Sequence, residues 1–204
     1  MPLLKQHIVN SNTQVSIWEI DESVENLFAN IELREESRLR LSKMKSIEHQ
    51  KGFLAVRHLL VNAGYSDFDL YYDENGKPFL KDGRFISISH SFQYASIIIS
   101  TENVGIDIEK KRDKIIRIAN KFCNDNELLL VESSTNAIDA LTEIWCTKEA
   151  MYKMCDSKSL SFKNNMYVDL NANSFVESEA YKRKFRYCNV KIDGFVLVFT
   201  LEIK

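Results

Sequence analysis

A chain of 204 residues that is 45% hydrophobic can bury a core of its own, and suits one ordinary domain or two small halves packed together. A formal net charge of −2 gives no whole-molecule attraction to nucleic acid, so any anion-binding surface has to be local. The four cysteines, Cys123, Cys146, Cys155 and Cys188, form no CxxC pair and have no His cluster beside them. That argues against a zinc site or a disulfide framework and for a reducing compartment. The opening residues, MPLLKQHIVN, lack an apolar signal core and a cleavage site, and no apolar run is long enough to span a bilayer. The expectation is a cytoplasmic protein that engages neither membrane nor nucleic acid.

In chain order, QVSIWEI over 14–20 predicts a strand, and the charged stretch over 32–63, with recurrent Leu, Met, Phe and Val, predicts helix broken near Ser46. Alternation over 65–72 predicts a strand that ends in the turn DENGKP at 73–78. Strands follow over 85–89 and 94–100, on either side of HSFQ, and over 104–108. Helices are predicted over 115–123 and 124–130, the second with Asn124 or Asp125 as N-cap, and the longest over 136–154. Strands over 166–170, 187–192 and 195–203 close the chain, the last two joined by the hairpin signal Asp193-Gly194. With only Pro2 and Pro78 and no Gly/Ser-rich linker, the chain is not two beads on a string. The order strand, helices, strands runs twice, which predicts an α+β fold of two similar halves.

Chemistry concentrates in four short stretches. In VGIDIEKKRDK, over 104–114, alternation sends Ile106 and Ile108 to one side and Asp107 and Glu109 to the other. Two carboxylates held that close repel, unless a cation such as Mg²⁺ sits between them. The plain alternative is an amphipathic strand with a wet face. In EIWCTKEAMYK, over 143–153, Glu149 and Lys153 are neighbours on a helix, which is also the commonest surface ion pair; Trp145 reads as core. In SISHS, His90 sits at the mouth of a strand, where a lone His is ordinarily a polar loop residue. In GKP, Lys77 on a tight turn can reach a phosphate, yet NGKP is also an ordinary hairpin turn.

Taken together and in this order, GKP, SISHS, VGIDIE and WCTKEAMYK resemble the 4′-phosphopantetheinyl transferase superfamily. The chain length is similar to its Sfp-type branch, whose members hold two pseudo-symmetric α/β halves in one chain. The resemblance implies that an N-terminal half, 1–101, supplies coenzyme A contacts, and that a C-terminal half, 102–204, is the Mg-binding catalytic half. It implies transfer of the phosphopantetheine arm of coenzyme A to a serine of an apo acyl or peptidyl carrier protein, with release of 3′,5′-ADP. Asp107, Glu109 and Glu149 are then the ligands of Mg²⁺, with Mn²⁺ as the alternative metal. Glu149 is the candidate general base, and Lys153 binds the diphosphate and stabilises the leaving phosphate. Arg57, from AVRHLL, together with Lys77, Pro78, Ser89 and His90, looks like a set of coenzyme A contacts. Lys43, Lys45 and Lys51 are available for the 3′-phosphate, with nothing to choose among them. A chain that carries both halves needs no second copy to complete its site and is expected to be a monomer.

The run Lys110, Lys111, Arg112, Lys114, Arg117 and Lys121 would form a local basic face for an acidic carrier, with Ile115, Ile116 and Phe122 as apolar contacts; the alternative is a solvated helix face. Two rival functions remain at this point. One is a catalytically weak module of the same fold that binds coenzyme A or a carrier. The other is an unrelated Mg²⁺-dependent nucleotidyl or phosphodiester enzyme, which would ignore the pantetheine arm.

Overall fold

The computed structural model describes residues 3–155, 159–170 and 174–203. The chain divides into two compact units, Met1–Glu102 and Asn103–Lys204.

The first unit contains β1 (Leu3–Asn10), β2 (Thr13–Glu19), α1 (Val24–Ala29), α2 (Glu35–Ser42), α3 (Ile47–Asn62), β3 (Leu70–Tyr72), β4 (Pro78–Leu80), β5 (Phe85–Ser91) and β6 (Tyr94–Ser100). Its strands form one antiparallel sheet in the order β1-β2-β6-β5-β4-β3. The apolar face of α3, with Phe53, Leu54, Val56, Leu59 and Leu60, packs into one core with Trp18, Ile97 and Ile99. The break expected near Ser46 is the N-cap of α3, where the Ser46 hydroxyl accepts from the backbone N–H of His49.

The strand expected over 65–72 is shorter, because two aspartates curl its first half into a turn. Asp69 accepts from the N–H and the hydroxyl of Ser66 at 2.7 and 2.6 Å. Asp67 accepts from Arg34 N, Ser37 Oγ and Arg57 Nε, each at 3.0 Å. Only Leu70–Tyr72 remains free to pair with β4. The strand β1 and the helix α1 lie outside the sequence expectations.

The second unit contains β7 (Val104–Lys110), α4 (Lys114–Phe122), α5 (Asp125–Glu132), α6 (Ala137–Met154), α7 (Phe162–Asn165), β8 (Met166–Tyr167), β9 (Ser174–Glu177), β10 (Lys182–Ile192) and β11 (Phe195–Ile203). Its antiparallel sheet runs β7-β11-β10-β9-β8. Asn124 is the N-cap of α5 and forms a reciprocal capping box with Glu127. Ile144 and Met151 of α6 pack with Phe122 and Phe185 in the core. The expected strand over 166–170 stops at Tyr167, because the N–H of Val168 is taken by Glu127 Oε1 at 2.8 Å rather than by a neighbouring strand. Both units are antiparallel sheets with helices inserted in the chain between their strands, which is the α+β class expected.

The helix α6 runs antiparallel to β7 and is fastened at both ends. Asn103 Nδ2 donates to Met154 O at 2.9 Å, and Lys111 Nζ donates to Asp139 Oδ2 at 2.9 Å. This clamp sets the register of the helix that carries Glu149 and Lys153 against the strand that carries Asp107 and Glu109.

Candidate active site

Period-two alternation puts Gly105, Asp107 and Glu109 on one face of β7. A Cβ added at Gly105 would lie 1.9 Å from the carbonyl oxygen of Ala150. The backbone of α6 therefore rests directly on this face, and only glycine permits the approach. The wet strand face that alternation also allowed is thus covered by a helix, and Asp107 is 5% exposed. Across the β7–β11 ladder, Val198 pairs with Asp107 and Val196 with Glu109, and the two valines cluster with Cys146. The carboxylates rise beside apolar surface, where charge is costly to hold and strongly felt by its neighbours.

Lys153, in the last turn of α6, donates to Asp107 Oδ1 at 2.8 Å and to the carbonyl of Ile106 at 2.7 Å. Glu149 lies one turn earlier on the same helix. Burial pushes its carboxyl up from 4.5 to about 7; the charges of Asp107 and Glu109 add to the rise and that of Lys153 opposes it. Asp107, Glu109, Glu149 and Lys153 thus behave as one electrostatic unit. Cys146 lies beside them, fully buried. Burial first, then the charges of Asp107 and Glu109, hold its thiol well above its ordinary range, so it stays neutral and inert.

Among the described residues, no three His, Cys, Asp or Glu side chains stand ready-made as a metal cluster. Like-charged carboxylates repel, and the Lys153 ammonium pairs with Asp107 at 2.8 Å. The donor chemistry nevertheless fits a hard divalent cation. Three carboxylates offer only oxygen, and a cation among them relieves the repulsion that raises Glu149.

This gives a pH prediction. The folded value of Glu149, about 7, lies above its ordinary 4.5, so the folded protein keeps a proton that the unfolded chain has lost. Stability from this group is fully present below about pH 4.5 and is lost as pH rises through about 7. In EDTA, the thermal midpoint of the wild type should fall over this window, and Glu149→Gln should flatten that part of the curve. A curve that Glu149→Gln leaves unaltered would refute the buried, raised carboxyl.

In the first unit, the Asp73–Lys77 turn is tied by Lys77 N donating to Asp73 Oδ1 at 2.8 Å, and Pro78 opens β4. Ser89 is buried in β5, and its carbonyl accepts from Ser96 Oγ at 3.3 Å. His90 follows it and packs on α3, where a Cβ at Gly52 would lie 2.8 Å from the ring. The ring of His49 stands edge-on to that of His90 at 6.0 Å. Gly52 was not singled out from the sequence; it leaves the space His90 fills.

Arg57 departs from the expectation of a coenzyme A contact. Its guanidinium is 2% exposed, pairs with Asp67 at 3.0 Å, donates to Phe53 O at 3.3 Å and lies 3.5 Å over the Phe53 ring. A side chain so engaged holds the Asp67 turn and α3 together and is not presented to a ligand. The basic run also changes shape. Lys111 is spent on Asp139, while Lys114, Arg117 and Lys121 are exposed on α4. Phe122 is no surface contact: it is 2% exposed and meets Trp145 edge-on at 5.0 Å, so Ile116 is the apolar side chain left exposed there.

Residues 103–199 match the family model described as the 4′-phosphopantetheinyl transferase superfamily. This half of the chain is similar to that superfamily. The chain is 30% identical over 114 residues to 4′-phosphopantetheinyl transferase gsp of Aneurinibacillus migulanus, covering 55% of this chain and 48% of that protein. It is 31% identical over 100 residues to 4′-phosphopantetheinyl transferase Sfp of Bacillus subtilis, covering 47% of this chain and 44% of that one. The chain spans about half the length of these curated relatives. A solved holo-[acyl-carrier-protein] synthase from Neisseria meningitidis aligns with a TM-score of 0.39 and 19% identity, over 50% of this chain and 98% of that one.

Proposed function

We propose that this protein is a 4′-phosphopantetheinyl transferase that moves the phosphopantetheine arm of coenzyme A to a serine of an apo carrier protein. The observation that carries this reading is the meeting of β7 and α6. Lys153 reaches Asp107 at 2.8 Å while Glu149, raised to about 7, feels both Asp107 and Glu109. The match of residues 103–199 to the superfamily model, and relatives named as phosphopantetheinyl transferases, support the reaction class.

Asp107, Glu109 and Glu149 are the residues that would hold Mg²⁺, the cation suited to carboxylate oxygens and a diphosphate. When bound there, it supplies Lewis-acid charge to the diphosphate. The carrier serine Oγ forms a bond to the pantetheine-side phosphorus of coenzyme A, and the bridging oxygen leaves with 3′,5′-ADP. Lys153 offsets the negative charge that grows on this leaving group, the electrostatic contribution that dominates transfers of this kind. Glu149, one turn before Lys153 on α6, is the group assigned to accept the serine proton. Lys77, Pro78, Ser89 and His90 are assigned to coenzyme A by their place in the family motifs.

The exposed basic residues Lys114, Arg117 and Lys121 of α4, with Ile116 among them, suit an acidic carrier surface. Reversing the three charges should raise KM for the carrier by about tenfold while coenzyme A affinity holds. Unchanged carrier kinetics would return this helix to a solvated face. The reaction itself is tested by following 3′,5′-ADP release. Release should need coenzyme A, apo carrier and Mg²⁺ together; release without a carrier would point to a nucleotidyl or phosphodiester enzyme instead.

A further inference from the structure

Lys148 stands immediately before Glu149 on α6 and takes no part in the chemistry above. Its side chain is 0% exposed, a rare state for lysine. The ammonium has three donors, and all three are used: on Glu127 Oε2 at 2.6 Å, on Phe122 O at 2.7 Å and on Phe162 O at 2.7 Å. Glu127 is equally committed. Its Oε2 also accepts from Asn124 N at 2.9 Å, and its Oε1 accepts from Val168 N at 2.8 Å. One ion pair therefore ties α6 to the end of α4, the start of α5, the start of α7 and the chain after β8.

An apolar pair of similar volume serves stability as well as a buried ion pair does, or better, so stability alone does not explain this one. What a directional three-bond anchor adds is a fixed rotation of the helix. Successive side chains leave a helix roughly 100° apart, so seating Lys148 in this socket fixes where Glu149 points. Lys153 follows on the face of Glu149 and meets Asp107 at 2.8 Å. Gly105 sets how closely α6 lies on β7, and the ends of α6 set its register. Apolar packing of Ile144 and Met151 turns one face of α6 to the core, and the directional Lys148 anchor fixes the rotation within that packing.

We infer that Lys148 and Glu127 are positioning residues for the transferase site, holding α6 at the rotation that aims Glu149 and Lys153 at Asp107. The inference rests on the functional reading above. It places these two residues on the catalytic step and not on the binding of either substrate.

The test uses Lys148→Met/Glu127→Gln, which removes both charges together, with Glu127→Gln alone as a second variant that keeps the shape of the side chain. Thermal midpoints, kcat and both KM values are measured with coenzyme A and an apo carrier. The folded double variant should lose at least about tenfold in kcat with both KM values within about twofold of wild type, since small misplacements of reacting groups cost that much or more. Glu127→Gln should lose about threefold in the same pattern, and where only one of the two variants folds, that one decides the matter. A kcat within about twofold of wild type in the folded variant overturns the inference. So does a fall in kcat matched by a rise in KM, the mark of general loosening. An inactive wild type overturns the functional reading, and this inference with it.

Discussion

Asp107→Asn should lower turnover by at least about 10³-fold while the protein stays folded. The substitution keeps the shape of the side chain and removes its charge. Three things are lost together. The Lys153 ammonium loses its ionic partner at 2.8 Å, one of the three carboxylates offered to a divalent cation becomes a neutral amide, and the push that Asp107 exerts on Glu149 disappears. Glu149 should then titrate nearer its ordinary value and hold a proton less well at neutral pH. Stability should hold, because the Lys153 side chain remains 28% exposed and water can solvate what Asp107 releases. Steady-state kinetics beside a thermal melt separates the two effects. A variant within about tenfold of wild-type turnover would remove Asp107 from the reaction.

Gly105→Ala should damage both fold and function. A methyl group there would sit 1.9 Å from the Ala150 carbonyl oxygen and 2.9 Å from Thr200 Oγ1. The first obstacle is helix backbone, which cannot turn aside as a side chain can. Room can come only from lifting α6 off β7, which opens a packed interface and carries Glu149 and Lys153 away from Asp107. Overpacking of this kind costs at least about 3 kcal/mol, or roughly 10 °C in thermal midpoint for a chain of this size. Turnover should fall more steeply than stability, because the displaced helix bears two of the four site residues. A Gly105→Ala protein that melts with the wild type would mean that α6 does not rest on the strand as described.

The contrast between Asp107 and Gly105 shows what the amino-acid pattern reveals and what it hides. Asp107, Glu109, Glu149 and Lys153 were legible because their motifs, taken together and in order, resemble a known family; spacing alone left them as a wet strand face and a surface ion pair. The Asp193-Gly194 hairpin was legible as a local turn signal, and the N-cap of α5 was narrowed to Asn124 or Asp125. Gly105 lay in plain view inside VGIDIE, but its purpose depends on a helix 45 residues further along the chain, and no local pattern reports a close approach of backbones.

Charge used as internal structure misled in a different way. Arg57 read as a ligand contact because of the resemblance carried by AVRHLL, yet its partner Asp67 lies in a loop that looked like strand. Lys148 sat unremarked between Thr147 and Glu149, and nothing near it in the chain announces Glu127, Phe122 O and Phe162 O. In both cases a buried ion pair decided where a helix sits. Such a pair is visible only when the elements that contribute to it are already in place.

The most direct test of the account is the intact mass of an apo carrier protein after incubation with this chain, coenzyme A and Mg²⁺, with parallel samples containing EDTA or the Asp107→Asn variant. The account predicts that the carrier gains one phosphopantetheine group with the wild type and Mg²⁺, and nothing in either parallel sample. A carrier left unmodified by folded wild-type protein, or modified equally in the presence of EDTA and by Asp107→Asn, would contradict it.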